Sequence, residues 1–315
     1  MNKVLILGGT GFVGRHLCEQ LNRLGVRMTV PTRRTVNART VQTLPLVDVV
    51  QADVHDPATL ARLLPGHDAV VNLVAVLHGN ARRFERVHVD LPRALAQAMA
   101  ATGVKRLVHI SALGASLEGP SLYQASKARG EAVLQAAGLE LTVLRPSVIF
   151  GAEDRFLNVF AQLQSVLPVV PLAGAATRFQ PVWVGDVAQA IVRCLQTPST
   201  AGEVIEVAGP DVRTLAELVK LAGRLSGHPR PVFGLPTALA YFQALAMEAL
   251  PGEPLMSTDN LRSMEVDNVA SGQWPGLERL CIHPQPLEAI AAQYLDASGQ
   301  ADPLLRVRER AGRMH

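Results

Sequence analysis

The sequence predicts an α/β protein, with a doubly wound parallel sheet followed by a smaller, mixed α/β C-terminal lobe. Short β-branched runs alternate with longer helical patterns through the first half of the 315-residue chain. The short runs are apolar on both faces, as strands are when helices cover both sides of a parallel sheet. After Pro146 the alternation ends, and prolines separate shorter elements. We therefore expect a large domain over residues 1–150, a lobe over 151–297 with some segments packing back on that domain, and a flexible basic tail over 298–315.

Each element of the first domain follows from its hydrophobic spacing. The short runs are four to six residues long and rich in valine, leucine and isoleucine, which favours buried strands. The strands are predicted, in chain order, over Lys3–Leu7, Arg27–Val30, Val47–Ala52, Ala69–Val74, Leu107–Ile110 and Leu141–Leu144. The segments between them repeat apolar residues at a helical period. The helices are predicted over Phe12–Leu24, Pro57–Leu64, a long stretch that ends at Thr102, and Tyr123–Ala137.

Composition and charge exclude one class of function. Hydrophobic residues make up 48% of the chain and charged residues 18%, which is enough to bury a sizeable core. The formal net charge is +3, and residues 306–315 account for all of it with four arginines and one glutamate. A nucleic-acid platform needs clustered lysines and arginines along one face, so the neutral body argues against a nucleic-acid partner. The tail is left as a candidate contact for an acidic partner or a membrane surface.

The cysteines and histidines indicate no metal site. Cys18, Cys194 and Cys281 are odd in number and widely spaced, which favours neither a disulfide framework nor a zinc site. Several histidines show no metal-ligand spacing and are expected at the surface: His55, His67, His78 and His283.

The hydrophobic segments are too short to cross a membrane. None reaches the roughly 18 apolar residues of a spanning helix, and the apolar start of the chain is too short for a signal peptide. The richest stretch, Leu235–Leu250, includes Gln243 and Glu248. Because it has no basic face, it is predicted to be a packed helix of the lobe, with a membrane-surface or partner helix as the alternative. We expect a cytoplasmic protein that is at most peripheral to the inner membrane.

A glycine-rich turn directly follows the first predicted strand. Gly8, Gly11 and Gly14 stand three residues apart as the first helix begins. Glycine allows the tight turn, the approach of backbone N–H groups to a pyrophosphate and the close packing of helix on strand. The pattern predicts a Rossmann fold that binds a dinucleotide. The residues of this loop expected to contact it are Gly8, Thr10, Gly11, Phe12, Val13 and Gly14.

The end of the second strand indicates which dinucleotide binds. An NAD site places a carboxylate there for the ribose 2′-hydroxyl, whereas an NADP site uses arginine for the 2′-phosphate. Residues 30–34 contain no acid but include Arg33 and Arg34. We therefore predict NADP(H) in preference to NAD(H), with these two arginines on the phosphate; the alternative is a pair of solvated loop arginines. Asp53, followed by Val54, either accepts from the adenine amino group or caps the next turn.

Three motifs carry a family resemblance. The glycine loop, the Tyr123-x-x-x-Lys127 pair and the run LRPSVIFG over residues 144–151 together resemble extended or atypical short-chain dehydrogenases/reductases of the epimerase/dehydratase type. Further segments resemble the branch that contains the nucleotide-binding accessory subunit of respiratory complex I and its bacterial relatives. Those segments span residues 87–90, 109–115, 179–188 and 235–295.

The resemblance implies a catalytic pair on one helix. Tyr123 and Lys127 are four residues apart and therefore project from the same face. In this family the tyrosine is the acid/base for hydride transfer, and the lysine stabilises the phenolate and holds the nicotinamide ribose. A hydroxyl normally assists them, but Ala112 stands nearest its place, so Ser111 or Ser116 is expected to substitute. His88 stands where many members have asparagine.

The resemblance also implies further cofactor contacts. The fourth strand would end beneath the adenine ribose and pyrophosphate at Leu73, Val74 and Ala75, although core packing explains these residues equally well. Pro146 and Val148 would meet the nicotinamide after the sixth strand.

Two functions of different classes follow. One is an NADP(H)-dependent oxidoreductase or epimerase that acts on a carbonyl or carbinol of an unidentified small molecule. The alternative is a non-catalytic NADPH-binding structural or assembly protein, in association with a protein complex or a membrane surface. The intact Tyr123 and Lys127 favour the first function, and the departure at Ala112 favours the second.

Overall fold

The structure, a computed structural model, describes residues 1–248 and 256–295. The strands are β1 Lys3–Leu7, β2 Arg27–Thr32, β3 Val47–Gln51, β4 Ala69–Asn72, β5 Arg106–Ile110, β6 Glu140–Pro146, β7 Ile149–Phe150, β8 Val170–Leu172, β9 Arg178–Phe179, β10 Val182–Trp183, β11 Val204–Val207, β12 Arg213–Thr214 and β13 Val232–Gly234. The α-helices are α1 Phe12–Arg23, α2 Pro57–Leu63, α3 Ala81–Glu85, α4 Leu91–Thr102, α5 Leu122–Gln135, α6 Leu157–Val166, α7 Val184–Gln196, α8 Leu215–Leu225, α9 Thr237–Glu248, α10 Thr258–Ser263 and α11 Leu287–Leu295. A π-helical turn, Arg86–Asp90, joins α3 to α4, and short 3₁₀ turns occupy Thr35–Ala38, Pro198–Thr200 and Leu277–Leu280.

The core of the molecule is a seven-stranded parallel sheet in the order β11-β6-β5-β4-β1-β2-β3. The strand order reverses between β1 and β4, because the chain turns back across β1 after β3. In open parallel sheets a ligand crevice forms at the carboxyl ends of the strands at such a reversal. The predicted fold class is confirmed, and the topology places the loop after β1 beside the loop after β4.

Helices cover both faces of the sheet. On one face α1 and α7 bury Leu17, Leu21 and Ile191 against the strands. On the other face Leu60 of α2, Leu95 of α4 and Leu134 of α5 pack beneath the same strands. Strands covered in this way have little solvent-facing surface, which explains why the sequence runs carry apolar residues on both faces.

The second half of the chain contributes to both parts of the molecule. β11 completes the large sheet beside β6, and α7 packs against α1. The smaller lobe has its own core, where α6, α8 and α11 bury Leu157, Leu218 and Ala291. Its strands form three two-stranded sheets, β7 with β10, β9 with β12, and β8 with β13.

The apolar stretch predicted over Leu235–Leu250 forms α9 as far as Glu248, and residues 249 and 250 lie outside the described residues. Ala240 and Ala244 are buried against the lobe. The outer face is exposed, with Phe242 72% accessible and Leu239 and Leu245 each 56% accessible. The helix therefore packs through small residues and leaves its large apolar side chains outward.

One of the histidines expected at the surface is buried. His67 is 8% exposed, and its Nε2 lies 2.7 Å from Thr29 Oγ1 while Nδ1 lies 3.2 Å from the Leu64 carbonyl oxygen. The prediction for His67 was wrong because the histidine completes a buried polar contact between α2 and β2, which spacing alone does not reveal.

No helix among the described residues is long and apolar enough to cross a membrane. Within the same residues no cluster of histidine, cysteine, aspartate and glutamate is arranged to hold a metal ion. Cys18 and Cys194 are buried, Cys281 is exposed, and all three are free thiols. The predicted basic tail over 298–315 lies outside the described residues.

Candidate functional site

The glycine loop after β1 makes the turn that the sequence predicts. Gly8 has φ +84°, which favours glycine, and its carbonyl oxygen accepts from Gly11 N at 3.0 Å. A Cβ on Gly14 would lie 2.5 Å from both Gly8 O and Gly9 Cα, so α1 approaches the loop too closely for any side chain. A Cβ on Gly8 would lie 3.1 Å from the Leu73 carbonyl carbon. The loop after β4 therefore lies against the glycine loop, as the fold requires of a dinucleotide crevice.

Within the residues that the structure describes, the N-terminus of α1 has no side-chain cap. Gly11 is the N-cap residue, no side chain accepts from the first-turn N–H groups, and no acid lies in that turn. The first N–H groups of a helix have no partner within the helix itself, and they carry a partial positive charge. The unbound amides and the glycine cradle fit a diphosphate. Thr10, Phe12 and Val13, which the sequence predicts to contact the cofactor, are all partly accessible in this loop.

The end of β2 has the residues expected for a 2′-phosphate. Arg33 and Arg34 are exposed, and the Thr32 hydroxyl donates to the Arg34 carbonyl oxygen at 3.1 Å. No carboxylate occupies this position. Asp53 is also exposed, and its Oδ1 accepts from His55 N at 3.1 Å. It therefore caps the turn, which is one of the two roles predicted for it.

An open cleft of about 790 Å³ lies beyond this turn, between the first residues of α2, α3 and the π-helical turn. Its lining includes three arginines and two acids, with His55 at its edge: Arg82, Arg83, Arg86, Glu85 and Asp90. Burial is the main cause that lowers the pKa of His55, and the nearby Arg86 and Arg33 guanidinium groups lower it further. Arg86, which was not singled out in the sequence, therefore lies near His55 together with Arg33.

Tyr123 and Lys127 lie on α5, where Tyr123 is partly exposed and Lys127 is buried. Burial raises the pKa of Tyr123 to about 12, so the phenol is protonated near neutral pH. Lys127 is 2% exposed, and its Nζ donates to the Ile110 carbonyl oxygen at 2.9 Å. Burial lowers the pKa of Lys127 to about 8, and Glu131 on the next turn opposes that change. The ammonium thus uses one of its three donors at the carboxyl end of β5, beside Ser111.

The two candidate hydroxyls, those of Ser111 and Ser116, differ in burial and in hydrogen bonding. Ser111 is 3% exposed, and its Oγ has no hydrogen-bond partner in the part of the chain that the structure describes. An unpaired buried hydroxyl costs on the order of 1–3 kcal/mol, so it is rare without a ligand or water to satisfy it. Ser116 is exposed, and its Oγ accepts from Glu118 N within its own turn. Of the two, Ser111 is therefore the hydroxyl without a protein partner among the described residues, while Ala112 offers no hydroxyl.

His88 links α5 to the loop after β4 through hydrogen bonds. Its Nε2 accepts from Val76 N at 3.2 Å, so Nδ1 carries the hydrogen and donates to Ser126 Oγ at 2.9 Å. The Ser126 hydroxyl in turn donates to the Tyr123 carbonyl oxygen at 2.9 Å. The His88 ring also lies edge-on to the Tyr123 ring, with centroids 5.6 Å apart. Burial, assisted by the Lys127 charge, lowers the pKa of His88 to about 2, so the ring is neutral.

The π-helical turn that carries His88 approaches α5 so closely that only glycine fits between them. A Cβ on Gly130 would lie 1.9 Å from the His88 carbonyl oxygen. π-Helical turns inside helical segments occur frequently at functional sites. Neither the π-helical turn nor the close approach at Gly130 was predicted from the sequence, in which only His88 was noted at this position.

A second buried histidine supports the β4 edge of the crevice. Asn72 Nδ2 donates to His109 Nδ1 at 3.2 Å, and Asn72 Oδ1 accepts from Val74 N at 3.2 Å. Burial, followed by the Lys127 charge, lowers the pKa of His109 to about 3. Asn72 therefore fixes the start of the loop where Leu73, Val74 and the exposed Ala75 were predicted to meet the cofactor.

The residues after β6 are held by the smaller lobe. Pro146 is buried, and its carbonyl oxygen accepts from Leu113 N at 2.9 Å. Asn268 Oδ1 accepts from Val148 N at 3.0 Å and from the Ser147 hydroxyl at 2.7 Å. The structure therefore brings the loops after β1, β4, β5 and β6 together at one end of the sheet, with Tyr123 and Lys127 among them.

Comparison with known proteins agrees with this arrangement. The model of the NAD dependent epimerase/dehydratase family matches residues 4–208. The chain is 33% identical over 298 residues to the mitochondrial NADH dehydrogenase (ubiquinone) 1 alpha subcomplex subunit 9 of Mus musculus, covering 92% of this chain and 78% of that protein. It is 31% identical over 234 residues to the ceramide reductase of Caulobacter vibrioides, covering 74% and 73% respectively. The predicted resemblance to the complex I subunit is confirmed.

Solved structures show the same fold. The dTDP-glucose 4,6-dehydratase DesIV from Streptomyces venezuelae, with NAD and TYD bound, superposes with a TM-score of 0.72 at 24% identity, covering 93% of this chain and 95% of that one. The Thermus thermophilus UDP-glucose 4-epimerase, in complex with NAD, gives a TM-score of 0.70 at 22% identity, covering 95% and 100%. At these identities the likeness establishes the fold alone.

Proposed function

The chain belongs to the NAD-dependent epimerase/dehydratase family, and from that premise we propose that it is an NADP(H)-dependent oxidoreductase or epimerase acting on a carbonyl or carbinol carbon of a small molecule. The observation that carries the proposal is the unpaired, buried hydroxyl of Ser111 next to the strand end that Lys127 contacts. A buried donor with no protein partner suits a substrate oxygen. Tyr123 serves as the acid/base.

NADP(H) would lie across the carboxyl ends of β1 and β4. The glycine cradle and the uncapped α1 would hold the diphosphate, and Arg33 and Arg34 would hold the 2′-phosphate. Asp53 and Val54 would border the adenine, and Pro146 and Val148 the nicotinamide. When bound, the nicotinamide supplies or accepts the hydride.

The protein's own groups manage the proton. Near neutral pH the Tyr123 phenol holds its proton, which makes it a general acid toward a carbonyl oxygen that gains negative charge. In the reverse direction the phenol must lose that proton, and the buried Lys127 ammonium favours the phenolate electrostatically. The Ser111 hydroxyl would donate a second hydrogen bond to the same oxygen. One such donor typically contributes a few kcal/mol to the stability of the transition state.

The second candidate function is a structural one, in which NADPH is bound and not turned over. The relatives named as mitochondrial NADH dehydrogenase subunits favour it, and so does Ala112 at the family's hydroxyl position. It predicts stoichiometric NADPH, association with a larger complex and a loss of thermal stability when the nucleotide is stripped. For either function we place the protein in the cytoplasm, at most peripheral to the inner membrane.

Cofactor choice is tested by titrating the protein with NADPH and NADH, first as wild type and then as Arg33→Ala. We expect wild type to bind NADPH at least tenfold more tightly, and the variant to lose that preference while its affinity for NADH stays the same. Arg39→Ala, an exposed arginine on the same loop, is the matched control. Equal affinity of wild type for the two nucleotides would overturn the NADP(H) assignment.

Turnover is tested by following NADPH absorbance with a panel of carbonyl, quinone and sugar-nucleotide substrates. An active substrate should lose at least a hundredfold in kcat with Tyr123→Phe and tenfold or more with Ser111→Ala. Tyr241→Phe, whose hydroxyl contacts Glu265 in the smaller lobe, should retain full activity. Tight NADPH binding without oxidation by any substrate would instead support the structural function.

A further inference from the structure

A carboxylate from the smaller lobe is bound to the first turn of the catalytic helix. Asp259, on α10, is only 8% exposed. Its Oδ1 accepts from Leu122 N at 2.7 Å, and its Oδ2 accepts from Tyr123 N at 3.1 Å. The contact joins residues 136 and 137 positions apart in the sequence.

The same turn has a conventional cap as well. Ser121 is the N-cap residue, and its Oγ accepts from Gln124 N at 3.1 Å. Together Ser121 and Asp259 bind the first three amide groups of α5, so this helix end is closed. Two hydrogen bonds from one carboxylate to consecutive amides fix both the position and the rotation of the turn that carries Tyr123.

Asp259 is itself held firmly. Ser257 and Asn260 form a capping box at the start of α10. Glu248 Oε1 accepts from Thr258 N at 2.8 Å, which ties the start of α10 to the end of α9. At the other end the Thr177 hydroxyl donates to the Met264 carbonyl oxygen at 2.8 Å. The carboxylate is therefore presented to α5 by a segment of the smaller lobe that is itself held at both ends.

The charge of Asp259 also acts on the phenol. The N-terminus of a helix carries about half a positive charge, which on its own would stabilise a phenolate in the first turn. A carboxylate seated on that end cancels the effect and adds a negative charge to the surroundings of Tyr123. Among the described residues, the neutral His88 on the π-helical turn lies against the Tyr123 ring, and Lys127 lies one turn further along the same helix. Such a charge would add to the effect of burial, which raises the pKa of Tyr123, and would oppose the Lys127 ammonium.

We propose that Asp259 is a positioning residue through which the smaller lobe orients Tyr123 and keeps the phenol in its acid form. The proposal rests on the proposed role of Tyr123 as acid/base. It assigns to α10 a part in the chemistry, because any movement of α10 relative to α5 changes both the placement and the acidity of Tyr123.

The test uses the full chain with fluorotyrosine in place of its three tyrosines, read by ¹⁹F NMR against pH. Fluorine lowers the phenol pKa and brings the titration into a range where the protein stays folded. Single Tyr→Phe variants assign the three signals. In Asp259→Asn we expect the Tyr123 signal to shift and to titrate about half a pH unit or more lower, while the Tyr241 and Tyr294 signals do not change. Glu265→Gln, an exposed acid next to α10, should leave the Tyr123 titration unchanged.

Turnover and nucleotide binding complete the test. Asp259→Asn should keep the NADPH affinity of wild type, lower kcat at least tenfold with little change in KM, and move the pH profile of kcat to lower pH. Asp259→Glu, which restores the charge, should recover part of kcat and of the titration, and it covers the case in which the asparagine variant does not fold. An unchanged Tyr123 titration in a folded Asp259→Asn would overturn the proposal. A wild type without turnover, but with the expected NMR shift, would refute the enzymatic function and leave the positioning contact standing.

Discussion

Two helices begin at the same edge of the large sheet, and their N-termini are treated in opposite ways. α1 follows β1 with a glycine at the N-cap and no side-chain acceptor in its first turn. α5 begins after β5 with Ser121 at the N-cap and the carboxylate of Asp259 on the next two amides. Both ends present the same backbone donors, so the side chains around them decide the outcome.

The difference indicates which backbone N–H groups are available to a ligand and which are already bound by side chains of the protein. An anion that binds the N-terminus of α1 does not have to displace a capping side chain of the described residues. Displacement therefore does not reduce the binding energy of a diphosphate there. At α5 the side chain that would do the chemistry starts in the first turn, and a frayed turn would misplace it. A misplacement of about 1 Å costs on the order of a hundredfold in rate. Under the proposed function, the uncapped N-terminus of α1 would bind the diphosphate, and the capped N-terminus of α5 would hold Tyr123 in place.

The largest expected effect comes from obstructing the open end. Gly14→Ala puts a Cβ where Gly8 O lies only 2.5 Å away, so α1 and the loop must separate. We expect the dissociation constant for NADPH to rise at least a hundredfold, or about 3 kcal/mol, measured by isothermal titration calorimetry. Gly11→Ala, whose Cβ would lie 3.2 Å from the same oxygen, should cost far less. Wild-type affinity in a folded Gly14→Ala would contradict the assignment of this loop.

A second variant places a carboxylate at the N-terminus of α1, where it would resemble the one that Asp259 provides at the N-terminus of α5. Gly11→Asp places an acid at the N-cap of α1, where it would bind first-turn amides and repel a diphosphate. We expect NADPH to bind about tenfold or more weakly, while the nucleotide-free protein gains a few tenths of a kcal/mol in stability. Gly11→Asn, a neutral cap of the same shape, isolates the charge. Equal losses in the two variants would show that shape and not charge matters there.

Low pH should weaken the hydrogen bonds of the two buried histidines, His88 beside α5 and His109 beside the end of β4. The folded-state pKa of His88 is about 2 and that of His109 about 3, both below the ordinary value of 6.5. Each ring takes up a proton only on unfolding, so its stabilising contribution is complete above about pH 6.5 and falls as the pH drops below that value. The expected loss approaches roughly 1.4 kcal/mol per pH unit for each ring.

Urea unfolding at a series of pH values measures that loss. Replacing His88 with asparagine removes one of the two rings and should reduce the slope between pH 6 and pH 4 by about one proton. His283→Asn, at an exposed position, is the control and should leave the slope unchanged. A slope unaffected by His88→Asn would mean that His88 is protonated in the folded protein.

The smallest effect concerns the conventional caps. Ser121→Ala removes the cap of α5, and Thr214→Ala removes the capping box of α8, far from the site. Each should lower the free energy of unfolding by about 1 kcal/mol. Only Ser121→Ala should also move the ¹⁹F signal of Tyr123, because only its helix carries that side chain. Identical ¹⁹F spectra for the two variants would remove the functional distinction between the helix ends.

Local patterns predicted much of the fold. All six predicted strands are present, with ends displaced by up to two residues, because a buried parallel strand must be apolar on both faces. β4 ends earlier than predicted, at Asn72, since that side chain turns to hydrogen-bond His109 and Val74. The strand β11 was not predicted, because the sequence around it lacks the alternation with helices that marks the first half.

The candidate site was predictable from the sequence only where a motif of fixed spacing along the chain marks its residues. The glycine loop follows from fixed intervals along the chain, whereas Tyr123 and Lys127 were predicted from the family resemblance of their motif. The choice between Ser111 and Ser116 did not follow from spacing, because it depends on which hydroxyl is left without a partner after folding. Likewise His67 was expected at the surface, and its burial became visible only when α2 was placed against β2.

The sequence by itself determined the sheet, the glycine cradle of α1 and the helix that carries Tyr123, since each depends on residues a few positions apart. Only the tertiary structure decided what fills the start of that helix. Asp259 reaches Tyr123 across 136 residues, and Asn268 reaches Val148 across 120. A carboxylate or an amide accepts from whichever donors the packing of distant elements brings within 3 Å, and no local interval in the chain encodes that encounter.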